Sequence, residues 1–457
     1  MVAPPAAAAA LIRAALLVCG GLAAGPALAG NDRSYHMGAE AATTAAAGLA
    51  VTDAGEAAWY NPAGLGGLTQ TRLSVNASAF TLRIRGSSDF VRTSLGDGAR
   101  DAPGVANQFT SVPTAVVIAR GAPRRVGWGL ALLSPQGGRL VLRSTLEDTA
   151  QPQDWDPAAY RQSLQVFAED QTYYAGAGVG WQATDDLKIG GCVFFVYQRR
   201  LASFSFQATL DGVRAGQPTT LFASYAQDGV RNVLGLNFAV SLQWQFVPDW
   251  WIGLVVRTMS FGIAQWGEIT SSGATNFLGD AQDARVIADG ARAAGVEWGF
   301  QPFEPMRFSL SVGVRRPRFW VGLEGEAVLG QTEAPLSPAR NAMWNLALGG
   351  RAQAAEKVWI GAGLFTDQNG STEQGLFADR LSYYGVTFGP ELRTPLAMRD
   401  RDEPLVFSTT LGVRYALGFG SYGQIAFRPF EPGQLSARER TLFMHELQVI
   451  LGTSVSF

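Results

Sequence analysis

The stretch FMHELQVILGTSVSF at residues 443–457 decides the fold, because apolar and polar side chains alternate along it almost without a break. The odd positions carry apolar residues, namely Leu447, Val449, Leu451, Val455 and Phe457. Apart from Ile450, the even positions are polar or small, namely Glu446, Gln448, Gly452, Ser454 and Ser456. Since successive side chains of a strand point to opposite faces, the stretch predicts a strand with one apolar and one polar face.

The same alternation recurs at residues 234–246, 306–315 and 407–415. Transmembrane β-strands have this form, as segments of ~10 residues separated by turns. Only 16% of the chain is charged, against ~25% in soluble proteins. No apolar run of ~18 residues follows residue 29, so helical spans are excluded. Only helices and closed barrels satisfy their backbone in lipid, and the sequence therefore predicts an all-β, transmembrane antiparallel β-barrel.

The spacing of turns predicts the number of strands and their orientation. Short polar turns occur near residues 183–186, 247–249, 315–318 and 352–357. Longer connections are predicted at 86–112, 135–170, 210–230, 268–305, 330–340, 367–380 and 418–442. Bacterial barrels keep short turns in the periplasm and long loops outside. Threading the chain in this way gives about fourteen strands over residues 71–457, with both ends of the barrel in the periplasm.

The first 29 residues are predicted to be a secretory signal peptide. They contain one early cation, Arg13, then an apolar run that ends in Ala27-Leu28-Ala29, a small-residue cleavage signal. The mature chain would begin at Gly30, and Cys192 would be its single cysteine, so no intramolecular disulfide is expected.

Residues 30–70 predict a compact plug ahead of the barrel. The segment is rich in glycine and alanine and closes on Trp59 and Tyr60, followed by Asn61-Pro62-Ala63-Gly64-Leu65. Proline lacks an N–H and biases the preceding residue away from helix, so regular structure should stop there. A second irregularity follows in the first strand, where the alternation changes phase near Phe80 and Thr81. That change predicts a bulge or bend, and bulges are common at functional openings.

The segment from Gly48 to Leu65, together with the fourteen strands and the terminal Phe457, resembles the FadL/TodX family of outer-membrane transporters of hydrophobic compounds. Residues 303–316 resemble the family only loosely. The resemblance implies a hatch inside the lumen, with gating residues Trp59, Tyr60, Asn61, Pro62, Ala63 and Gly64. It also implies passive uptake and lateral release through a kink in the wall, for which Phe80 and Thr81 are the candidate position. Phe457 resembles the terminal signal that the barrel assembly machinery reads.

Strand parity points several charged side chains into the lumen, namely Arg307, Glu324, Glu326, Arg414 and Glu446. They would either fix the plug through charge-assisted hydrogen bonds or, for Arg307 and Arg414, contact a substrate head group. The sequence gives little support for a catalytic function, because its two histidines, His36 and His445, are not part of a catalytic or metal-binding motif. No cofactor or metal site is expected. The net charge of -2 argues against a nucleic-acid partner.

These observations predict a monomeric, non-enzymatic barrel in the outer membrane of a Gram-negative bacterium, in contact with its lipid and lipopolysaccharide. The resemblance implies passive transport of long-chain fatty acids or other hydrophobic small molecules. The alternative is a barrel of the same fold that does not transport but acts as a scaffold or partner of a secretion, motility or surface-assembly complex. The polar start of the mature chain, from Gly30 to His36, favours that alternative.

Overall fold

A computed structural model describes residues 36–52, 55–94, 98–109, 114–122, 125–152, 155–276, 285–332, 339–372, 379–397, 405–427 and 435–457. The predicted signal peptide, residues 1–29, and the first residues of the predicted plug lie outside these ranges. No helix in the described ranges is long and apolar enough to cross a membrane.

Seventeen strand segments form one sheet in the described part of the chain. Their bounds are β1 Arg72–Ser94, β2 Ala99–Phe109, β3 Thr114–Ala122, β4 Val126–Ala150, β5 Ala158–Gln182, β6 Leu187–Arg214, β7 Gln217–Val247, β8 Trp250–Arg257, β9 Ser260–Asn276, β10 Arg285–Glu304, β11 Arg307–Arg316, β12 Phe319–Val328, β13 Met343–Ala355, β14 Val358–Asp367, β15 Asp379–Leu396, β16 Leu405–Phe427 and β17 Leu435–Ser456.

The seventeen segments make fourteen barrel strands, as predicted, because three barrel strands are each interrupted once. β2 and β3 both pair with β1, and β8 and β9 both pair with β7. β10 and β11 continue each other and pair with β9 and β8 respectively. The barrel closes where β1 pairs with β17, from Arg72 opposite Ser456 to Ile84 opposite His445. Among the described pairings, only a short contact of β1 with β16 is parallel.

The predicted alternation decides which side chains face out. On β17, Leu451 is 48% exposed whereas Glu446 is 1% exposed and faces the lumen. Exposed apolar residues form a similar outer face on the other barrel strands. Stacked rings of Tyr173, Tyr197 and Trp266 lie on this outer face. Aromatic residues are common at both edges of the lipid-facing band of a barrel.

Beyond this band the strands are longer than predicted, and much of what was predicted as loop is sheet. β4 continues to Ala150 and β16 continues to Phe427. β6 and β7 are joined by a turn of only two residues, Ala215 and Gly216. Both turn residues have positive φ, the backbone that two-residue hairpins favour. The prediction was wrong because antiparallel strands satisfy each other's backbone without an apolar face, so pairing continues where alternation of polarity stops.

The first strand is irregular where its alternation changes phase. The register of β1 against β17 shifts between Ser78 and Phe80, which confirms the predicted bulge. The side chains of Phe80 and Thr81 lie outside the described residues, so a wall opening at these positions stays a prediction.

The described residues of 36–69, called the inner segment here, lie inside the barrel. Helix α1 (Ala39–Thr44) packs against β13–β17. Helix α2 (Ala57–Tyr60) and a 3-10 helix (Pro62–Gly67) pack against β3–β7. Glycines on the wall make the approach possible: a Cβ on Gly127 would clash with the carbonyl oxygen of Leu65, and one on Gly349 with that of Thr44.

Candidate functional site

The candidate site is the junction between the inner segment and the wall, and Trp59 is at its centre. The Trp59 ring meets those of Tyr174 and Phe194 edge to face, with centroids 4.8 and 5.5 Å apart. The Arg257 guanidinium lies 4.0 Å from the centroid of the Trp59 ring and donates a hydrogen bond of 2.6 Å to its carbonyl oxygen. Trp59 therefore joins the inner segment to three barrel strands through aromatic and cation–π contacts.

Asn61 organises the turn that follows. Its side chain is fully buried, donates to the carbonyl oxygen of Leu49 at 2.7 Å and accepts from the N–H of Ala63 at 3.2 Å. This second bond caps the 3-10 helix that begins at Pro62, in keeping with the preference for asparagine before a helix and proline at its first position. The N–H of Ala63 also donates to the Ser241 hydroxyl of the wall at 2.8 Å.

The remaining predicted gating residues lie in the same turn. The Tyr60 hydroxyl accepts from the N–H of Met37 at 2.8 Å, which joins the start of the inner segment to helix α2. Gly64 is in close contact with Thr52, because a Cβ on it would clash with the Thr52 carbonyl oxygen. The predicted set from Trp59 to Gly64 is thus one compact structure inside the barrel. Whether it gates passage stays a prediction.

A cavity of about 80 Å³ lies between Trp59, Tyr60 and the wall. Its lining is strongly charged and includes Arg257, Arg307, Glu304, Glu324 and Glu326. Since one water needs roughly 10–15 Å³, the cavity holds a few waters, and it is too small for a fatty acid. Any larger molecule passing here requires the inner segment to move.

Hydrogen bonds hold the cavity's charges in place. Glu304 accepts from the Tyr174 hydroxyl at 2.6 Å and from the Ser260 hydroxyl. Arg257 donates to the Asn237 side chain at 3.0 Å. Three carboxylates face two guanidinium groups among the described lining residues, so the balance of charge here is negative when the carboxylates are ionised.

The two predicted head-group arginines lie in different surroundings. Arg307 lines the charged cavity, whereas Arg414 is not part of its described lining. Arg414 is 1% exposed, forms an ion pair with Glu446 and lies 4.4 Å from the centroid of the Phe365 ring. A buried ion pair of this kind fixes structure, which favours the structural alternative for Arg414.

Sequence reasoning missed Tyr174, Arg257 and Glu304. The last two flank breaks in neighbouring strands, at residues 258–259 and 305–306. Asn237 spans the first break by donating to Thr258 and Ser260. The signal available in the sequence was Pro305, which ends β10, but nothing marked the matching break after Arg257.

His445 lies on β17, the last strand. Its Nδ1 lies 2.7 Å from the Tyr415 hydroxyl, on the lipid-facing side of the barrel. Within the ranges that the structure covers, no group of three or more His, Cys, Asp or Glu side chains could hold a metal ion.

Solved structures share this architecture over nearly their whole length. A FadL homologue from Pseudomonas aeruginosa is 13% identical, with a TM-score of 0.55 over 93% of this chain and 99% of the other. The toluene transporter TodX from P. putida is 12% identical, with a TM-score of 0.54 and the same coverage. The chain has the FadL/TodX fold. The toluene transporter TbuX from Ralstonia pickettii is 13% identical, with a TM-score of 0.51 over 92% of this chain and 97% of the other.

The FadL/TodX fold confirms the architecture that residues 48–65 and the terminal strand indicated. At 10–13% identity these structures share the fold with this chain, and their similarity does not carry over individual residues. No protein-family model matches the sequence, and a search of curated proteins also finds no match.

Proposed function

We propose that the protein is an outer-membrane channel through which hydrophobic small molecules pass down their gradient. The inner segment, residues 36–69, acts as its hatch. The exposed apolar face of the barrel supports a place in lipid, and the shared fold of a FadL homologue and of toluene transporters supports transport of hydrophobic compounds. In this proposal the protein is not an enzyme.

The observation that carries the proposal is the way the hatch is attached to the wall. The backbone of the hatch lies directly on wall glycines, and wall side chains donate to its carbonyl oxygens: Arg257 to Trp59, Gln243 to Thr52 and Arg315 to Val51. One ion pair, between Glu40 and Arg351 at 3.5 Å, also crosses the junction. Each such polar contact contributes only about 0.5–3 kcal/mol net, because water replaces it when the hatch moves away from the wall. The charged cavity beside Trp59 would be the first space to widen as the hatch moves.

Uptake into cells tests the proposal. A bacterial host without a channel of its own for these compounds would express the protein, and uptake of radiolabelled toluene and dodecanol would be measured. We expect faster uptake than with an empty vector. Arg257→Ala should raise uptake several-fold, because the cation–π contact with Trp59 accounts for about 1–2 kcal/mol.

The matched control is Arg316→Ala, since Arg316 is exposed, pairs with Asp249 and lies over the Phe319 ring at a short turn. It should behave as the unaltered protein. Uptake no faster than with the empty vector would overturn the channel proposal. Equal uptake by the Arg257 and Arg316 variants would instead overturn gating by the hatch.

The proposal also includes the surroundings of the barrel. In this proposal the barrel is a monomer in the outer membrane of a Gram-negative bacterium, in contact with lipid and lipopolysaccharide. Phe457 is exposed and exchanges two backbone hydrogen bonds with Thr71, which closes the last strand on the first. This position suits a terminal signal for the barrel assembly machinery.

A second candidate function is a scaffold that binds a partner protein, and one observation favours it. Val296, Trp298 and Phe300 on β10 include the two most exposed large apolar side chains of the described residues, with Trp298 at 75% exposure. Exposed aromatic residues mark binding surfaces or membrane interfaces. A stoichiometric protein partner that co-purifies with the barrel and is lost in Trp298→Ala would support the scaffold.

A further inference from the structure

The second half of β1 leaves the wall at the end of the barrel opposite the short turns. Its pairing with β17 ends at Ile84, whereas β17 continues along β16 to Leu435. Residues 91–93 of β1 pair instead with residues 425–427 of β16, in parallel. Since β17 occupies one edge of residues 425–427, β1 takes the other edge, which lies on the side of β15. To reach that edge, β1 crosses β17 and β16.

The crossing lies on the inner face of these strands. The ring of Phe90 is stacked on that of Tyr422, with centroids 5.5 Å apart, and both side chains are buried. Phe90 and Val91 belong to a buried apolar cluster to which β5, β6 and β15 also contribute side chains. Residues 89–94 of β1 and 98–104 of β2, together called the strap here, therefore run across the lumen and cover part of its apolar lining.

Polar contacts tie the strap to β16 and β17. The Asp89 carboxylate accepts from the Tyr422 hydroxyl at 3.0 Å, and its Oδ2 lies 3.4 Å from Nε of Arg440. Gln424 on β16 donates to the carbonyl oxygen of Asp89. The side chains of Asp89 and Arg440 are each about one-third exposed, so water replaces their ion pair at low cost. Three wall side chains thus hold the strap through the single residue Asp89.

A second set of contacts ties the strap to β4 and β5. The Thr93 hydroxyl donates to Oε1 of Gln162 on β5 at 2.7 Å. Arg100 Nε donates to Asp148 Oδ2 on β4 at 2.6 Å, and its Nη2 donates to the carbonyl oxygen of Thr149 at 3.0 Å. The strap therefore spans the distance from β16 and β17 to β4 and β5.

Backbone pairing is interrupted at the base of the strap. The register of β1 against β2 shifts between Ser87 and Val91, on either side of Asp89. A strand bends where its ladder is interrupted in this way. The strap is thus jointed where it leaves the wall, tied at both ends by polar side chains, and packed in its middle through Phe90 and Val91.

We propose that the strap is an outer gate of the channel, which must swing away from β16 before a hydrophobic molecule reaches the hatch, and that Asp89 is its latch. This inference rests on the proposed function and adds a second gate to the hatch. Bacterial barrels keep short turns in the periplasm, so the strap faces the outside of the cell. A closed strap keeps the apolar cluster out of water, and an open strap offers the same side chains to an apolar molecule.

A reversible cross-link tests the gate. Arg92 lies opposite Ala426, and strands ~4.7–4.9 Å apart bring two such Cα atoms within the range of a disulfide. Arg92→Cys and Ala426→Cys would be combined with Cys192→Ala, which removes the other cysteine of the predicted mature chain. Uptake of radiolabelled toluene and dodecanol would be measured in the same host after oxidation and again after reduction. We expect uptake to fall at least tenfold on oxidation and to recover on reduction, because the disulfide holds the strap on β16.

The matched controls are the two single-cysteine variants, which should take up both compounds at the same rate in either redox state. Asp89→Ala tests the latch in the purified barrel. The amides of the strap should exchange hydrogen about tenfold faster, as measured by exchange mass spectrometry in detergent, which is the loss expected for hydrogen bonds to a charged group. Its control is Asp101→Ala, since Asp101 is an exposed carboxylate whose ion pair with Arg92 lies within the strap. That variant should leave exchange in the strap nearly unchanged.

Equal uptake by the oxidised and the reduced protein, with the disulfide verified by mass spectrometry, would overturn the gate. A disulfide that does not form would also overturn it, because the strap would then not lie on β16. Equal exchange in the Asp89 and Asp101 variants would overturn the latch. If both redox states take up toluene faster than the empty vector and at the same rate, only the outer gate is wrong. If no variant takes up either compound faster than the empty vector, the channel itself is wrong.

Discussion

The two halves of the hatch are held to the barrel by different means. The second half, residues 55–67, places the Trp59 ring among Tyr174, Phe194 and Arg257 and bonds to Ser241. The first half, residues 38–52, is held by polar contacts, since Gln243 and Arg315 donate to the carbonyl oxygens of Thr52 and Val51, and Arg351 pairs with Glu40. Wall glycines lie against both halves: a Cβ on Gly127 would clash with Leu65, and one on Gly349 with Thr44.

Backbone strain separates the halves further. Ala45 and Ala46, both in the first half, have φ of 55° and 59°, in the left-handed region that alanine avoids. Each such residue costs roughly 1–2 kcal/mol. The described residues of the second half show no comparable strain. If the hatch opens as proposed, the comparison predicts that the second half stays attached and the first half moves.

The largest expected effect comes from removing the anchor. Trp59→Ala removes a ring packed among three wall side chains, and such losses cost about 3–5 kcal/mol. Backbone amides of residues 55–67 should exchange hydrogen at least a hundredfold faster, as measured by exchange mass spectrometry in detergent. The control is Trp298→Ala, which removes a ring that is mostly exposed and should leave exchange in the hatch unchanged.

This result would establish the second half as the anchor if residues 38–52 change less than residues 55–67. Faster exchange confined to residues 38–52 would contradict the comparison, because it would mean that Trp59 holds the first half of the hatch in place and does not hold the second half.

A smaller effect is expected where the first half touches the wall. Gly349→Ala places a methyl against the Thr44 carbonyl oxygen, so the first half must shift. Overpacking of this kind costs about 1–3 kcal/mol. Exchange should become faster in residues 38–52 and stay unchanged in residues 55–67. Gly295→Ala is the matched control, since a Cβ there has no atom within 4 Å. Equal effects on both halves would show that the hatch moves as one body.

The parts that could be predicted from the sequence are those that lipid imposes. The alternation at residues 443–457 correctly predicted which side chains of β17 face outward, and the phase change near Phe80 correctly predicted the bulge. Both follow from one rule, that alternate side chains of a transmembrane strand face lipid. Above the lipid this constraint ends, and the paired extensions of β4, β6 and β16 were therefore mistaken for loops.

The charged groups of the lumen could not be predicted, because they depend on register. Arg200 and Arg231 are neighbours only because the turn at Ala215 and Gly216 sets how β6 and β7 align. A turn one residue longer would place a different side chain opposite Arg200 and change the faces that meet. Glu304 and Arg257 were missed for a related reason, since they flank breaks in strands where alternation gives no guidance.

The smallest effect tests the strain in the first half. Ala46→Gly places glycine where φ is 59°. The methyl group of Ala46 borders the cavity, so its removal costs little packing. Relief of about 1 kcal/mol should slow exchange in residues 38–52 roughly fivefold. The same substitution at Ala41, inside helix α1, should have the opposite sign and speed exchange, because glycine destabilises a helix by about 0.5–1 kcal/mol relative to alanine.

Uptake of toluene tests whether this strain matters for opening. If the first half is the moving part, uptake should fall in Ala46→Gly and rise in Ala41→Gly. The reason is that strain which raises the energy of the closed hatch lowers the cost of opening it. Opposite signs in exchange without any change in uptake would separate the strain from the transport step and assign opening to the second half.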